Sequence, residues 1–188
     1  MPVQIGAQSH SFSEPTGLLS DCHRRVEMFM DSLQNVANRA DHELTEDTRR
    51  ALDLALRYFR EAAPKHMADE EDSLFPRLRK INDPELQAAL CRLDELEADH
   101  RWAEPLHAKV EQLGNQYLAE GRLSPDDARG FRDTVDRLQH MYRRHIKLED
   151  HEVFPIASKL LTADLKQQIA REMENRRGLG SGRPVQLK

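Results

Sequence analysis

Apolar residues recur along this chain every three or four positions, the spacing that turns one face of an α-helix inward. The stripe Leu19, His23, Val26, Met30, Leu33 predicts a first helix running to about Ala40, with Ser13 and Pro15 suited to its start. Asp41-His42-Glu43 is a polar joint. Thr45 can then cap a second helix whose inner positions are Leu52, Ala55, Phe59, His66, Glu70 and Leu74. Pro64 falls inside this pattern and removes a helical hydrogen bond, so a kink is expected just before His66. Phe75-Pro76 is expected to end the run. Asn82-Asp83-Pro84 opens a third helix, striped by Leu86, Leu90, Leu93, Leu96, His100, His107 and Val110. Pro105 is expected to interrupt it and Gly121 to close it. Ser124-Pro125-Asp126-Asp127 starts a fourth, with Phe131, Val135, Leu138, Tyr142, His145 and Glu149 on its inner side. Thr162 opens a short fifth helix to about Arg177.

Long amphipathic segments joined by short loops predict an all-α fold, an up-down-up-down four-helix bundle with a short fifth C-terminal helix. The expected division is an irregular arm over 1–13, the bundle with its extra helix over 14–177, and a disordered Gly-rich tail over 178–188. A chain of 188 residues needs only one domain. Its 32% charged and 5% aromatic residues fit a bundle with charged outer faces. The net charge of −5 offers no electrostatic footprint for nucleic acid. No apolar run approaches the roughly 20 residues that span a bilayer, and residues 1–13 lack the apolar stretch of a secretory signal. Two cysteines, Cys22 and Cys91, suit a reducing compartment. The expectation is a cytoplasmic protein with neither membrane nor nucleic-acid partner, a protein partner being left open.

The chain also repeats itself. His66-Met-Ala-Asp-Glu70-Glu71-Asp-Ser-Leu74-Phe75-Pro76 recurs as His145-Ile-Lys-Leu-Glu149-Asp150-His-Glu-Val153-Phe154-Pro155. His23-Arg24-Arg25-Val26-Glu27 recurs as His100-Arg101-Trp102-Ala103-Glu104. His-x-x-x-Glu therefore occurs four times in the order A-B-A-B, which predicts two helical hairpins related by a pseudo-twofold axis. Residues four apart share a helix face, so each copy presents an imidazole and a carboxylate together. Burying them among Leu, Val and Phe is costly unless metal and hydrogen bonds satisfy them. Neutral imidazole and carboxylate suit Fe, Mn and Zn. Four histidines and two glutamates exceed the needs of one tetrahedral site. They suit two ions, with Glu70 and Glu149 as bridges and His23, His66, His100 and His145 as terminal ligands.

Glu27 and Glu104 belong to the shorter repeats and stand as further ligands or outer partners, against the reading of solvated helix faces. Glu71 and Asp150 point about 100° away from the ligands and suit orientation of ligand histidines or a solvent face. His107 lies two turns from His100, roughly 10 Å away, too far for the same metal, and suits core or pocket lining. Tyr142, one turn before His145, could hydrogen-bond a small oxygen species. Arg24 and Arg101 are expected to pair with acids on neighbouring helices.

The order His, His-x-x-x-Glu, His, His-x-x-x-Glu, with an aliphatic-Phe-Pro segment after each glutamate, resembles the hemerythrin-like, HHE cation-binding family over roughly residues 15–160. The resemblance implies a bundle around a non-haem di-iron centre bridged by two carboxylates and an oxo or hydroxo group. By motif position its ligands are His23, His66, Glu70, His100, His145 and Glu149. Oxygen-carrying hemerythrins have a fifth histidine four residues after the one matching His100, where this chain has Glu104. A carboxylate there favours the oxidised metals and turns the expectation from reversible O₂ carriage toward sensing or detoxification, with O₂, NO or peroxide as the small partner. The alternatives are a peroxide-decomposing or oxidase-type di-iron enzyme, or an iron-dependent regulatory module whose fifth helix meets a partner. Iron comes from the resemblance. The donor types alone also admit zinc or manganese.

Overall fold

Side chains of Thr45, Asp83, Ser124 and Thr162 cap four of the helix starts. The structure, a computed structural model, describes residues 10–179, all of it helix, turn or loop, with no strand among the described residues. Helix α1 spans Pro15–Ala37, with Pro15 in its first turn. Helix α2 spans Glu46–Glu61, and Thr45 Oγ1 accepts from Thr48 N at 3.2 Å. Helix α3 is the short Ala63–Ala68. A widened π-helical turn, Asp69–Leu74, leads into α4, Phe75–Leu78. Helix α5 runs from Pro84 to Glu120, with Asp83 Oδ1 accepting from Leu86 N at 3.2 Å. Helix α6 spans Pro125–Leu148, with Ser124 Oγ accepting from Asp127 N at 3.1 Å. A second π turn, Glu149–Val153, leads into α7, Phe154–Leu160. Helix α8 spans Ala163–Arg176, capped by Thr162.

Several expectations change. The first helix stops at Ala37, and Asn38–Ala40 form a turn. The break set by Pro64 falls at Ala62, between α2 and α3. Pro105 does not interrupt α5, which continues through it as one helix. The two Phe-Pro pairs do not end their helices. Pro76 and Pro155 sit in the first turns of α4 and α7, where a missing N–H costs nothing, and Phe75 and Phe154 are buried. They restart an α-helix after a turn that has taken in an extra residue. Arg24 pairs with Asp21 of its own helix, not with a neighbour. The arm assigned to 1–13 lies largely outside the described residues, as does nearly all of the tail assigned to 178–188.

Helix α1 packs against α2 and α6, and α5 packs against the same two, so four long segments form a ring of neighbours. Helix α8 lies across the first π turn and touches α1. One end of the bundle is tied off by Gly121, whose φ of +75° glycine adopts at little cost. Its carbonyl accepts from Leu44 N at 2.7 Å, and Tyr117 Oη donates to the Arg39 and His42 carbonyls.

The core comes in two parts. One apolar cluster holds Val26, Met30, Leu33, Leu52, Phe131, Val135 and Leu138. The other holds Leu18, Leu19, Leu74, Phe75, Leu93, Leu96 and Phe154. Along α1, His23 stands between Leu19 of one and Val26 of the other. Along α5, His100 stands between Leu96 and Ala103 in the same way.

Candidate metal centre

That level between the two clusters is polar. His23 comes from α1, His66 from α3, Glu70 from the first π turn, His100 from α5, His145 from the last turn of α6 and Glu149 from the second π turn. Glu70 and Glu149 have no exposed surface, and His23 and His145 have almost none. Glu70 Oε1 lies 3.2 Å from His66 Nε2 and 3.8 Å from His23 Nε2, and its Oε2 lies 3.6 Å from His100 Nε2. Glu149 Oε2 lies 3.0 Å from His23 Nε2 and 3.3 Å from His145 Nε2. The donor atoms fall into two groups, His23-His66-Glu70-Glu149 and Glu70-His100-His145, each within 4.8 Å, and Glu70 belongs to both. The rings pair likewise: His23 and His66 meet edge-on with centroids 4.9 Å apart, His100 and His145 at 4.7 Å.

An outer set of carboxylates fixes which ring nitrogen faces inward. His23 Nδ1 meets Asp150 Oδ1 at 2.9 Å, and Ser20 Oγ donates to the same oxygen at 2.7 Å. His100 Nδ1 meets Glu71 Oε1 at 2.7 Å. His145 Nδ1 meets Asp99 Oδ2 at 3.4 Å, and Arg144 holds Asp99 in turn. Each such bond favours the Nδ1–H tautomer and leaves Nε2 free as a ligand atom. His66 departs from this rule, since its Nδ1 is buried with no partner.

Electrostatics differ around the cluster. Burial, then the neighbouring Glu149, push the Glu70 carboxyl up to about 8. Burial would raise Glu149 too, but His145 and His23 hold it well below the carboxylate range. Burial opposes charge on His145, yet Glu149 and Asp99 lift it to about 10. Burial also opposes charge on His23, but Asp150, Glu149 and Glu70 together outweigh it and raise the group. Burial lowers His66 and His100.

Among the other sequence candidates, Glu27 is exposed and outside both groups. Glu104 is also exposed and outside them, but lies on the wall of a cavity beside the cluster. That cavity, of about 430 Å³, is bounded by all four clustered histidines and by Val26, Phe59, Ala103 and Ile146. Tyr142 and His107 line it together, joined by a 2.8 Å hydrogen bond between the phenol oxygen and Nε2. Burial alone brings His107 down to about 4 and, first among its causes, pushes the Tyr142 phenol up.

Two residues escaped the sequence reading. Asp99 stands beside His100, off the apolar stripe, and nothing in the repeat marks it, because Cys22 holds the matching place before His23. Asp69, fully buried, receives Arg176 Nη1 at 2.8 Å and Arg177 Nη2 at 2.5 Å. Here a signal did exist, since the second copy carries Leu148 at that place and an acid in an apolar position calls for a partner.

The family model for the hemerythrin HHE cation-binding domain matches residues 14–157. The chain belongs to the hemerythrin HHE cation-binding domain family. It is also 31% identical over 181 residues to an uncharacterized protein of Haemophilus influenzae, covering 94% of this chain and 98% of that one. The buried atoms of this hemerythrin-like domain fit a metal cofactor. Both oxygens of Glu70, both of Glu149 and Nε2 of His23 are buried without a hydrogen bond. Such a set of polar atoms in an apolar interior is costly unless a cation completes it. No helix among the described residues is long and apolar enough to cross a membrane.

Proposed function

We propose that this is a cytoplasmic non-haem di-iron protein that binds O₂, NO or peroxide for sensing or detoxification, on an up-down-up-down bundle with pseudo-twofold internal symmetry. The observation that carries this reading is the sharing of Glu70 by two donor groups, with Glu149 touching one imidazole of each. A carboxylate that faces both groups suits a bridge. His23 and His66 would hold one ion, and His100 and His145 the other. Iron held by these residues would supply redox and Lewis-acid capacity beside the cavity that the four histidines border.

The chain's own groups shape what enters. Val26, Phe59, Ala103 and Ile146 make the 430 Å³ cavity mostly apolar, which suits a small uncharged ligand. Tyr142 keeps its proton because its phenol is buried. In the Nε2–H tautomer of His107 the phenol oxygen accepts and the Tyr142 O–H is free to donate toward the cavity; in the other tautomer the phenol donates to Nε2.

Protein grown with iron should carry about two iron ions per chain and show an oxo-bridge charge-transfer band. Fewer than about one iron per chain, with no such band, would overturn the reading. A second reading is a peroxide-decomposing or oxidase-type enzyme at the same centre, favoured by Glu104 at the cavity wall where oxygen carriers have a histidine. Catalase and peroxidase assays on wild type and Glu104→His decide it. Equal, negligible turnover in both removes it.

A further inference from the structure

Three of the four clustered histidines have a carboxylate on Nδ1, and His66 has none. His66 also borders a second cavity, of about 510 Å³, between α1, α2, α3 and the end of α8. Arg25, Arg57, Lys65 and Arg177 all line it, and His66 forms part of its wall. Glu61 is the one acid in that lining, and it leans on Arg60 at 3.7 Å. Among the described residues no carboxylate lies within ion-pair distance of Arg25, Arg57 or Lys65. Arg25 instead donates to the buried thiol of Cys22, with Nη2 and Sγ 2.8 Å apart.

With Arg177 already paired to Asp69, three cations without a carboxylate partner face a concave space that has one acid in its lining, an unbalanced site. Guanidinium groups match carboxylate and phosphate oxygens by paired hydrogen bonds, and a lysine adds a mobile charge. The volume lies within the range of pockets for small organic molecules and is small for a folded peptide segment. His66 Nδ1 is buried without a partner; where Nε2 serves as the ligand atom, Nδ1 carries the ring proton, and an anion held by the neighbouring charges would supply its acceptor.

We propose that this cavity is a binding site for a small carboxylate- or phosphate-bearing anion, which takes the Nδ1–H of His66 and so stands in for the acid that the other three histidines possess. Seated there, the anion orients the His66 ring and raises its basicity toward the metal, as Asp150 does for His23. The affinity of the anion and that of the metal then depend on one another, by the same factor in each direction. The second half of this proposal rests on His66 being a metal ligand. The first half does not.

Two probes separate carboxylate from phosphate: succinate and inorganic phosphate, each titrated calorimetrically at low salt into metal-free and zinc-loaded full-length protein. At least one should bind with 1:1 stoichiometry. Arg57→Gln with Lys65→Gln should weaken binding about tenfold or more, and Glu46→Gln, on α2 away from this cavity, should leave it unchanged. In zinc-loaded protein with ¹⁵N-labelled histidine, the anion should shift the Nδ1 resonance of His66 and spare those of His23, His100 and His145. Absence of binding by either probe, or binding that the double variant does not weaken, overturns the site. Binding with no response at His66 overturns the link to the metal centre. Failure to take up zinc at all would tell against the metal reading and leave the metal-free titration to judge the cavity.

Discussion

The two copies of His-x-x-x-Glu-acid occupy equivalent turns yet are supported in different ways. In the second copy, Leu148 packs into an apolar cluster, and Asp99 of a neighbouring helix backs His145. In the first, Asp69 replaces that leucine and draws two arginines from the end of α8. Arg176 also donates to Ser73 Oγ at 2.7 Å, and Arg77 pairs with Glu172 of α8 at 2.7 Å. One π turn is thus held by packing, the other by a salt-bridged strap from the C-terminal helix. His66, in the strapped copy, is the histidine without an acceptor. Both copies bring the same imidazole and carboxylate to the cluster, while each is held by its own scaffold.

Removing the glutamates tests this comparison most severely. Glu70 faces three histidines and both donor groups, Glu149 only two histidines. Elemental analysis should find Glu70→Ala nearly free of metal and Glu149→Ala retaining part of its complement. Equal losses would abolish the distinction.

Next comes Asp69→Leu, which gives the first copy the residue of the second. It leaves Arg176 and Arg177 facing a buried site without their counter-charge. Urea unfolding should show a loss of about 3 kcal/mol, and hydrogen exchange should show α8 losing protection before the bundle does. A change below about 1 kcal/mol would mean that the strap carries little.

Asp99→Asn should weaken metal binding about tenfold or more through the ring it orients. The melting temperature of the metal-free chain should move little, because Asp99 lies toward the surface beside Arg144. A large fall in melting temperature with unchanged affinity would make Asp99 structural.

The smallest effect is one of pH on the metal-free chain. His145, up to about 10, His23, raised, and Glu70, at about 8, hold protons when folded that the unfolded chain releases at lower pH. The folded state therefore binds more protons from about pH 6.5 to about pH 9, and stability falls as pH rises across that window. His66 and His100 are shifted down and act below their ordinary 6.5, and Glu149 acts below 4.5. Metal binding requires those protons to leave, so metal affinity should rise over the same window. Thermal melts with and without zinc should show opposite slopes. Parallel slopes would refute the assignment of the protons.

Much of this architecture was legible in the chain. The three-and-four stripe gave the long helices, Thr45, Ser124 and Thr162 their starts, and the fourfold motif the residues that converge. The rest depends on interactions between segments distant in sequence. Phe-Pro reads locally as a stop, and only the π turn before it shows why a helix resumes. Pro105 looks like a breaker, but the packing of a long helix overrides one lost hydrogen bond. Glu27 and Glu104 share the spacing of the true cluster residues, yet Glu27 is exposed and Glu104 reaches only the rim of the cavity, because periodicity gives a residue's angle only within the width of a stripe. Asp99 was invisible, since its partner lies 46 residues away.

The core is divided, with oily material above and below a titratable waist. Among the described residues α1, α3, α5 and α6 each bring an imidazole to it, and the apolar clusters on either side stay separate. Cations seated at that level would act as rivets. Stripped of them, the molecule should part at its middle on warming, one half loosening before the other, and a calorimeter would trace two humps where the loaded protein gives one.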